Sequence, residues 1–162
     1  LFKNATYWSN KSHWDWACNP NAREKASFLS ENLLPLKESG QLKFISSHKS
    51  GFEFKPELGF DVLFVNGHTE KQMIPQIDYK GKKIVFAADL IPTAGHLPIP
   101  YIMSYDTKPL LSMDEKSDFL NEGVENECLL VLEHDPYNEV ISLKKTEKGV
   151  RLDRSFKFHE IF

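Results

Sequence analysis

Cysteine is scarce in this 162-residue sequence, which contains only Cys18 and Cys128. Small secreted domains that depend on disulfides carry many more, so we expect both to be free thiols in a reducing compartment. No apolar run approaches the ~20 residues that a membrane-spanning helix needs. The net charge of −3 provides no excess of Lys and Arg for nucleic-acid binding. We therefore predict a cytoplasmic protein that binds neither a membrane nor a nucleic acid.

The sequence has the composition of an ordinary globular domain. Hydrophobic residues make up 41% and charged residues 27% of the chain, and both fractions are typical of globular proteins. Domains of roughly 100 to 150 residues are the commonest size, so a chain of this length can bury a core of its own. We expect one folded unit.

Three segments have the features of helices. The first is capped by Ser9 and ends near Cys18. The second runs over about 22–34, where apolar residues are spaced for one face, and ends before a proline. The third runs over about 113–122, because Ser112 and Glu115 have the spacing of a capping box. The sequence therefore predicts helices on both sides of a group of strands.

Apolar runs with the length of strands lie between these helices. They include 60–65 and 128–133, of which the latter is nearly continuous, as in strands buried on both faces. Segments 76–79 and 82–86 flank Lys80–Gly81, which predicts a tight hairpin. Strands interleaved with helices indicate an α/β (α+β) fold with a mixed sheet and flanking helices.

Three polar residues each follow one of the apolar runs. His68 follows FVNG, Asp89 follows VFAA and His134 follows LVLE. We expect the three strand ends to meet at one edge of the sheet. Imidazole and carboxylate groups are the ligands of hydrolytic zinc sites, which keep a position open for water. Each residue alone has a plain alternative, a loop histidine, a turn cap or a strand end, but together they predict a metal site.

The order and wording of these three segments resemble the C-terminal half of the metallo-β-lactamase fold hydrolases. The resemblance implies half of a four-layer αββα sandwich and one or two zinc ions, or other divalent metals. It also implies that His68 binds the first metal, Asp89 bridges two metals and His134 binds the second. The segments around Tyr7 and Trp14 look more like lactonase-type members than like antibiotic-degrading ones.

The family's His-x-His-x-Asp-His motif does not occur in this sequence. We therefore expect residues 1–162 to be the C-terminal portion of a single metallo-β-lactamase-like domain, inactive alone and with weak or no metal binding. Half a sandwich would expose an apolar sheet face, so we predict that an N-terminal half or another chain covers the strands that end at His68 and Asp89. A homodimer is left open.

The function that follows from the resemblance is metal-dependent hydrolysis of a small-molecule ester, lactone, thioester, amide or phosphoester. The proline-rich segment 90–109 begins at the predicted metal edge, and loops of that length are usually functional or disordered. Within it we choose His96 and Tyr105 as substrate-binding residues, against the alternative of a packed surface loop. Two other functions stay open: a non-catalytic scaffold or binding module, and a redox protein that carries two irons.

Overall fold

The computed structural model describes residues 2–47 and 50–162. Within these residues the chain forms four α-helices and nine strands. The helices are α1 (Lys11–Cys18), α2 (Ser30–Glu38), α3 (Pro109–Glu125) and α4 (Phe158–Ile161). The strands are β1 (Tyr7–Ser9), β2 (Leu42–Phe44), β3 (Glu53–Lys55), β4 (Phe60–Val65), β5 (Gln72–Tyr79), β6 (Lys82–Phe86), β7 (Leu129–Val131), β8 (Val140–Thr146) and β9 (Gly149–Phe156).

A seven-stranded mixed sheet of order β3-β4-β5-β6-β7-β8-β9 forms the centre of the molecule. Neighbouring strands are antiparallel except β6 and β7, which are parallel. Parallel neighbours need a long crossover connection, and the proline-rich segment and α3 supply it. The hairpin between β5 and β6 turns at Lys80 and Gly81, where φ is 49° and 75°, as a two-residue turn between twisted strands requires. Strands β1 and β2 form a separate parallel pair.

One face of this sheet carries the main core. Strand pairing places Ile74, Val85, Leu130 and Ile141 on that face, and each is at most 1% exposed. Phe119 and Leu120 of α3 belong to the same buried cluster. Burial of the apolar side chains in this cluster is the main favourable contribution to folding.

The opposite face of the sheet is only partly covered. At one end α4 packs over Ile84, Leu129 and Val140. Elsewhere the face forms an apolar depression of about 500 Å³, which we call the open trench. It is lined by Trp8, Glu57, Leu58, Phe60, Val62, Met73, Pro75 and Phe86.

Helix boundaries differ from the sequence-based predictions. Asn10, not Ser9, caps α1, because its side-chain oxygen accepts from the His13 N–H at 2.8 Å. Residues 22–27 form turns instead of helix, and α2 begins later and contains Pro35. Helix α3 begins at Pro109, a residue suited to the first helical position. Three helices were predicted from the sequence, and the four-residue helix α4 is not among them.

Within the two described ranges, no helix combines the length and the apolar content that crossing a lipid bilayer requires.

Candidate metal centre

The three strand ends identified in the sequence meet at one edge of the sheet. His68 lies just after β4, Asp89 in a 3₁₀ turn after β6, and His134 just after β7. The Nε2 atom of His68 lies 3.5 Å from one carboxylate oxygen of Asp89, and the Nε2 atom of His134 lies 3.1 Å from the other. Asp89 therefore stands between two imidazoles and presents one oxygen to each.

The turn that carries Asp89 has an uncommon backbone conformation. Ala88 has φ of 43°, a region that side chains other than glycine rarely occupy. The residue is buried, and the adjacent Ala87 N–H donates to the Val131 carbonyl at 3.0 Å. These contacts hold the turn where the β6 strand ends, so that the Asp89 carboxylate projects between the two histidines. Strain of this kind is common at functional sites.

Asp106 orients the imidazole of His68. The Nδ1–H of His68 donates to Asp106 Oδ1 at 2.8 Å, and the Asp106 side chain is only 4% exposed. Burial lowers the pKa of His68, but the hydrogen bond to Asp106 and the charge of Asp89 outweigh it, so the net pKa lies above the ordinary value. A carboxylate behind a histidine is the usual partner of a metal-binding imidazole. The negative charges of Asp89 and Asp106 favour a proton on the His68 ring, and they also favour a metal cation beside it.

A second carboxylate holds the loop that carries His134. Asp135 accepts hydrogen bonds from the backbone N–H groups of Ala94, Tyr137 and Asn138, each at 2.9 Å. Burial raises the pKa of Asp135, but these hydrogen bonds have the larger effect and lower it. The His134 N–H also donates to the Pro92 carbonyl at 3.1 Å. Hydrogen bonds therefore join the loop after β6 to the loop after β7.

Glu133 adds a further oxygen to this edge. Ligand atoms of Asp89, Glu133 and His134 all lie within 4.8 Å of one another. Glu133 is exposed. Glu133 was not predicted as a ligand from sequence, although it directly precedes His134.

A cavity of about 720 Å³ opens beside these residues. His68, Asp89 and His134 form part of its wall, and so does Tyr105, one of the two substrate-binding residues predicted from sequence. Apolar surface in the wall comes from Trp8, Phe28, Met73 and Met103. The remaining wall residues are polar: Ser9, His13, Arg23, Glu24, Ser27, Thr69 and Gln72. The wall therefore combines apolar and aromatic surface with polar groups that could orient a small molecule.

His96, the other predicted substrate-binding residue, is not among the described residues that line this cavity. Its Nδ1 atom lies 2.8 Å from Thr93 Oγ1, within its own turn. Of the histidines given no function from sequence, His13 lines the cavity and donates to the Glu70 carbonyl at 2.6 Å, whereas His159 is exposed. His48 lies outside the described residues.

Glu24 links the aromatic N-terminal segment to the cavity, a contact for which the sequence has no local pattern. One of its oxygens accepts from Trp16 Nε1 at 2.8 Å, and the other accepts from Thr69 Oγ1 at 2.6 Å. Thr69 directly follows His68, so the carboxylate fixes the loop that carries this imidazole. Trp14 is buried and belongs to the core, while Trp8 lines the cavity.

Comparison with known proteins gives matches only among solved structures. No protein-family model matches the chain, and no curated protein sequence matches it either. A probable metal-dependent hydrolase from Staphylococcus aureus is 23% identical with a TM-score of 0.80, over 96% of this chain and 53% of that chain. AidC, a dizinc quorum-quenching lactonase, is 21% identical with a TM-score of 0.75, over 97% of this chain and 57% of that one.

A third structure, the hydrolase AbOPH of the beta-lactamase superfamily, is 18% identical with a TM-score of 0.75, over 96% and 57% of the two chains. The chain therefore spans a little over half the length of the structures that it matches. Likeness at this level of identity establishes architecture, and it confirms the fold predicted from the sequence. The chain has about half of a metallo-β-lactamase-like fold.

Proposed function

We propose that this chain supplies three ligands, His68, Asp89 and His134, to the metal centre of a metal-dependent hydrolase. The observation that carries the proposal is their convergence: two imidazole Nε2 atoms face the two oxygens of one carboxylate, at 3.5 and 3.1 Å. The three residues are far apart in the sequence and come from three different loops. We also propose that residues 1–162 are the C-terminal portion of a single domain.

The donor set fits a divalent cation. Neutral imidazole nitrogens and carboxylate oxygens are the ligands that zinc accepts in hydrolytic sites. The Asp106 carboxylate holds the proton of His68 on Nδ1, which leaves the lone pair of Nε2 directed at Asp89. A bound zinc ion, or a pair of them, supplies a Lewis acid and lowers the pKa of water. Asp89 has one oxygen available for each of two cations, which supports the bridging role.

The cavity beside the ligands supports a small-molecule substrate. Its wall joins apolar surface from Trp8, Phe28 and Met73 to the polar edge formed by the ligands. We propose that the substrate is an ester, lactone, thioester or phosphoester, with its scissile bond at the polar edge. Tyr105 lies in the wall, and we propose that it contacts substrate. The likeness to AidC, named as a dizinc lactonase, favours a lactonase-like member.

We also propose that the rest of the domain covers the open trench. The trench is apolar, and two large side chains on that sheet face, Ile77 and Phe86, are 38% and 37% exposed. The chain spans a little over half the length of the structures with the same fold. A second sheet is the occupant whose apolar face would match this one. A second copy of the chain is the alternative. The two free cysteines fit a cytoplasmic location.

The test of the metal site is zinc binding by an Asp89→Asn variant. The amide keeps the shape of the carboxylate but removes its charge, so zinc affinity measured by calorimetry should fall at least about tenfold. Asp118→Asn is the matched control, because Asp118 is an exposed carboxylate on α3, and its affinity should equal that of the parent chain.

Measurable zinc binding by the parent chain that is unchanged in Asp89→Asn would contradict the bridging role. In the intact protein the same variant should lose hydrolysis of an ester, lactone and phosphodiester panel together with its metal content. An intact protein that binds no zinc would favour the scaffold function.

A further inference from the structure

Glu115 on α3 holds the turn that leads into His68. Its Oε1 atom accepts from the Asn66 N–H at 2.7 Å, and its Oε2 atom accepts from the Gly67 N–H at 2.8 Å. The turn also lies directly on the helix, since a Cβ atom on Gly67 would come within 2.5 Å of the Ser112 backbone. The position of the loop before His68 is therefore set by α3.

The next residue on the helix, Lys116, holds a different loop. Its ammonium group donates to the carbonyl oxygens of His96, Pro98 and Tyr101, at 3.1, 3.1 and 2.8 Å. Three donors thus meet three acceptors, all in the part of the proline-rich segment that precedes Asp106. This segment contains little regular structure of its own, so the lysine supplies contacts that a helix or sheet would otherwise provide.

A lysine at the position of Lys116 carries a desolvation cost that an apolar residue would not. Lys116 is 1% exposed, and lysine is almost never fully buried unless its charge is paired. Burial lowers its pKa to about 8, against an opposing effect of the Asp106 charge. Leucine or methionine would fill the same space without this desolvation cost. The presence of a lysine is therefore better explained by the three hydrogen bonds that its ammonium group donates than by the volume of its side chain.

The loops held by Glu115 and Lys116 meet at the metal edge. The Lys108 N–H donates to the Gly67 carbonyl at 2.9 Å, and the Thr107 N–H donates to the His68 carbonyl at 3.1 Å. Next to these contacts His68 Nδ1–H donates to Asp106 at 2.8 Å. A shift of either loop would lengthen this hydrogen bond, which sets the orientation and the tautomer of the imidazole.

We propose that Glu115 and Lys116 are positioning residues of the candidate metal centre, which clamp the His68 loop and the Asp106 loop onto α3 and so keep His68 Nε2 directed at Asp89. The relevance to catalysis rests on the proposed function. The clamp itself is a property of the chain and can be tested without metal.

The test uses the whole chain with Lys116→Met, a substitution of similar length that removes the three donors. In spectra of histidine-labelled protein at neutral pH, the Nδ1–H proton of His68 should exchange with water about tenfold faster, because its hydrogen bond to the carboxylate opens more often. Zinc affinity should fall by about three- to tenfold, less than for a direct partner of a ligand. Lys148→Met, in the exposed β8–β9 turn, should change neither quantity.

Lys116→Arg retains a charged donor, and the Nδ1–H exchange rate should return part of the way to that of the parent chain. A folded Lys116→Met chain with unchanged proton exchange and unchanged zinc affinity would overturn the proposal. If Lys116→Met does not fold, Glu115→Gln decides, since faster Nδ1–H exchange is expected and an unchanged rate would overturn the clamp. If the intact protein binds no zinc while exchange still accelerates in the variants, the proposed function fails and the clamp stands.

Discussion

Both faces of the seven-stranded sheet are apolar. The described residues of this chain cover one face and leave part of the other exposed. The face under α3 buries Ile74, Val85 and Leu130 almost fully, whereas the other leaves Ile77 and Phe86 more than a third exposed. Strand alternation does not distinguish them, because residues on both faces are hydrophobic. The difference shows that the apolar pattern predicts which side chains tend to be buried. It does not predict whether the segment that packs over them belongs to the same chain.

The sharpest test of this comparison uses two isoleucines of the same strand. Ile74→Ala removes a side chain that is 0% exposed, and it should lower the free energy of unfolding by about 2 to 5 kcal/mol. Ile77→Ala makes the identical change on the other face, where 38% of the residue is exposed, and should cost less than about 1 kcal/mol. Both are measured by denaturant unfolding. Equal losses would mean that the second face is already covered.

A smaller effect is expected from a charge placed in the open trench. Phe86→Glu introduces a carboxylate that still reaches water, so the free energy of unfolding should change by no more than about 1 kcal/mol. The binding of a hydrophobic fluorescent dye should decrease, and any dimer seen by size-exclusion chromatography should dissociate. Ser142→Glu, on the same sheet face but outside the trench, is the control. Unchanged dye binding would show that the trench is not an accessible apolar surface.

The smallest effect concerns chemical access and leaves stability unchanged. Cys128 is buried in the cluster under α3, and burial raises its pKa to about 11. Only about one thiol in a thousand is then ionised at pH 8, and the thiolate is the reactive form. Cys18 is exposed, so a thiol reagent should label Cys18 rapidly in the folded chain and Cys128 only in denaturant. Rapid labelling of a folded Cys18→Ser variant would show that water reaches the covered face.

The sequence predicted strands better than helix boundaries. The run at 60–65 and the hairpin at Lys80–Gly81 match the observed strands, because alternation and turn residues are local signals. The pair Ser112 and Glu115 was misread as a capping box. Glu115 instead accepts from Asn66 and Gly67, which are distant in sequence, so its spacing from Ser112 carried no information about its partners. Pro35 likewise did not end a helix but lies inside α2.

The residues of the candidate site also divide into those that local sequence signals identified and those that they did not. His68, Asp89 and His134 were selected because each follows an apolar run, and strand ends that share a sheet edge come together. Their roles as ligands stay a prediction. His96 was selected because it lies in the proline-rich segment 90–109. It is not among the described residues that form the cavity wall. Glu24 and Lys116 had no local pattern that could reveal them.

What the sequence by itself determined is the position of several strands along the chain and the polar residue that follows three of them, His68, Asp89 and His134, since both depend on neighbouring residues. Only the tertiary structure decided that Asp106 faces His68, that Lys116 reaches three carbonyls of the proline-rich segment, and that one sheet face stays open. These contacts join residues far apart in sequence. Their geometry follows from how the crossover packs on the sheet, which no local periodicity encodes.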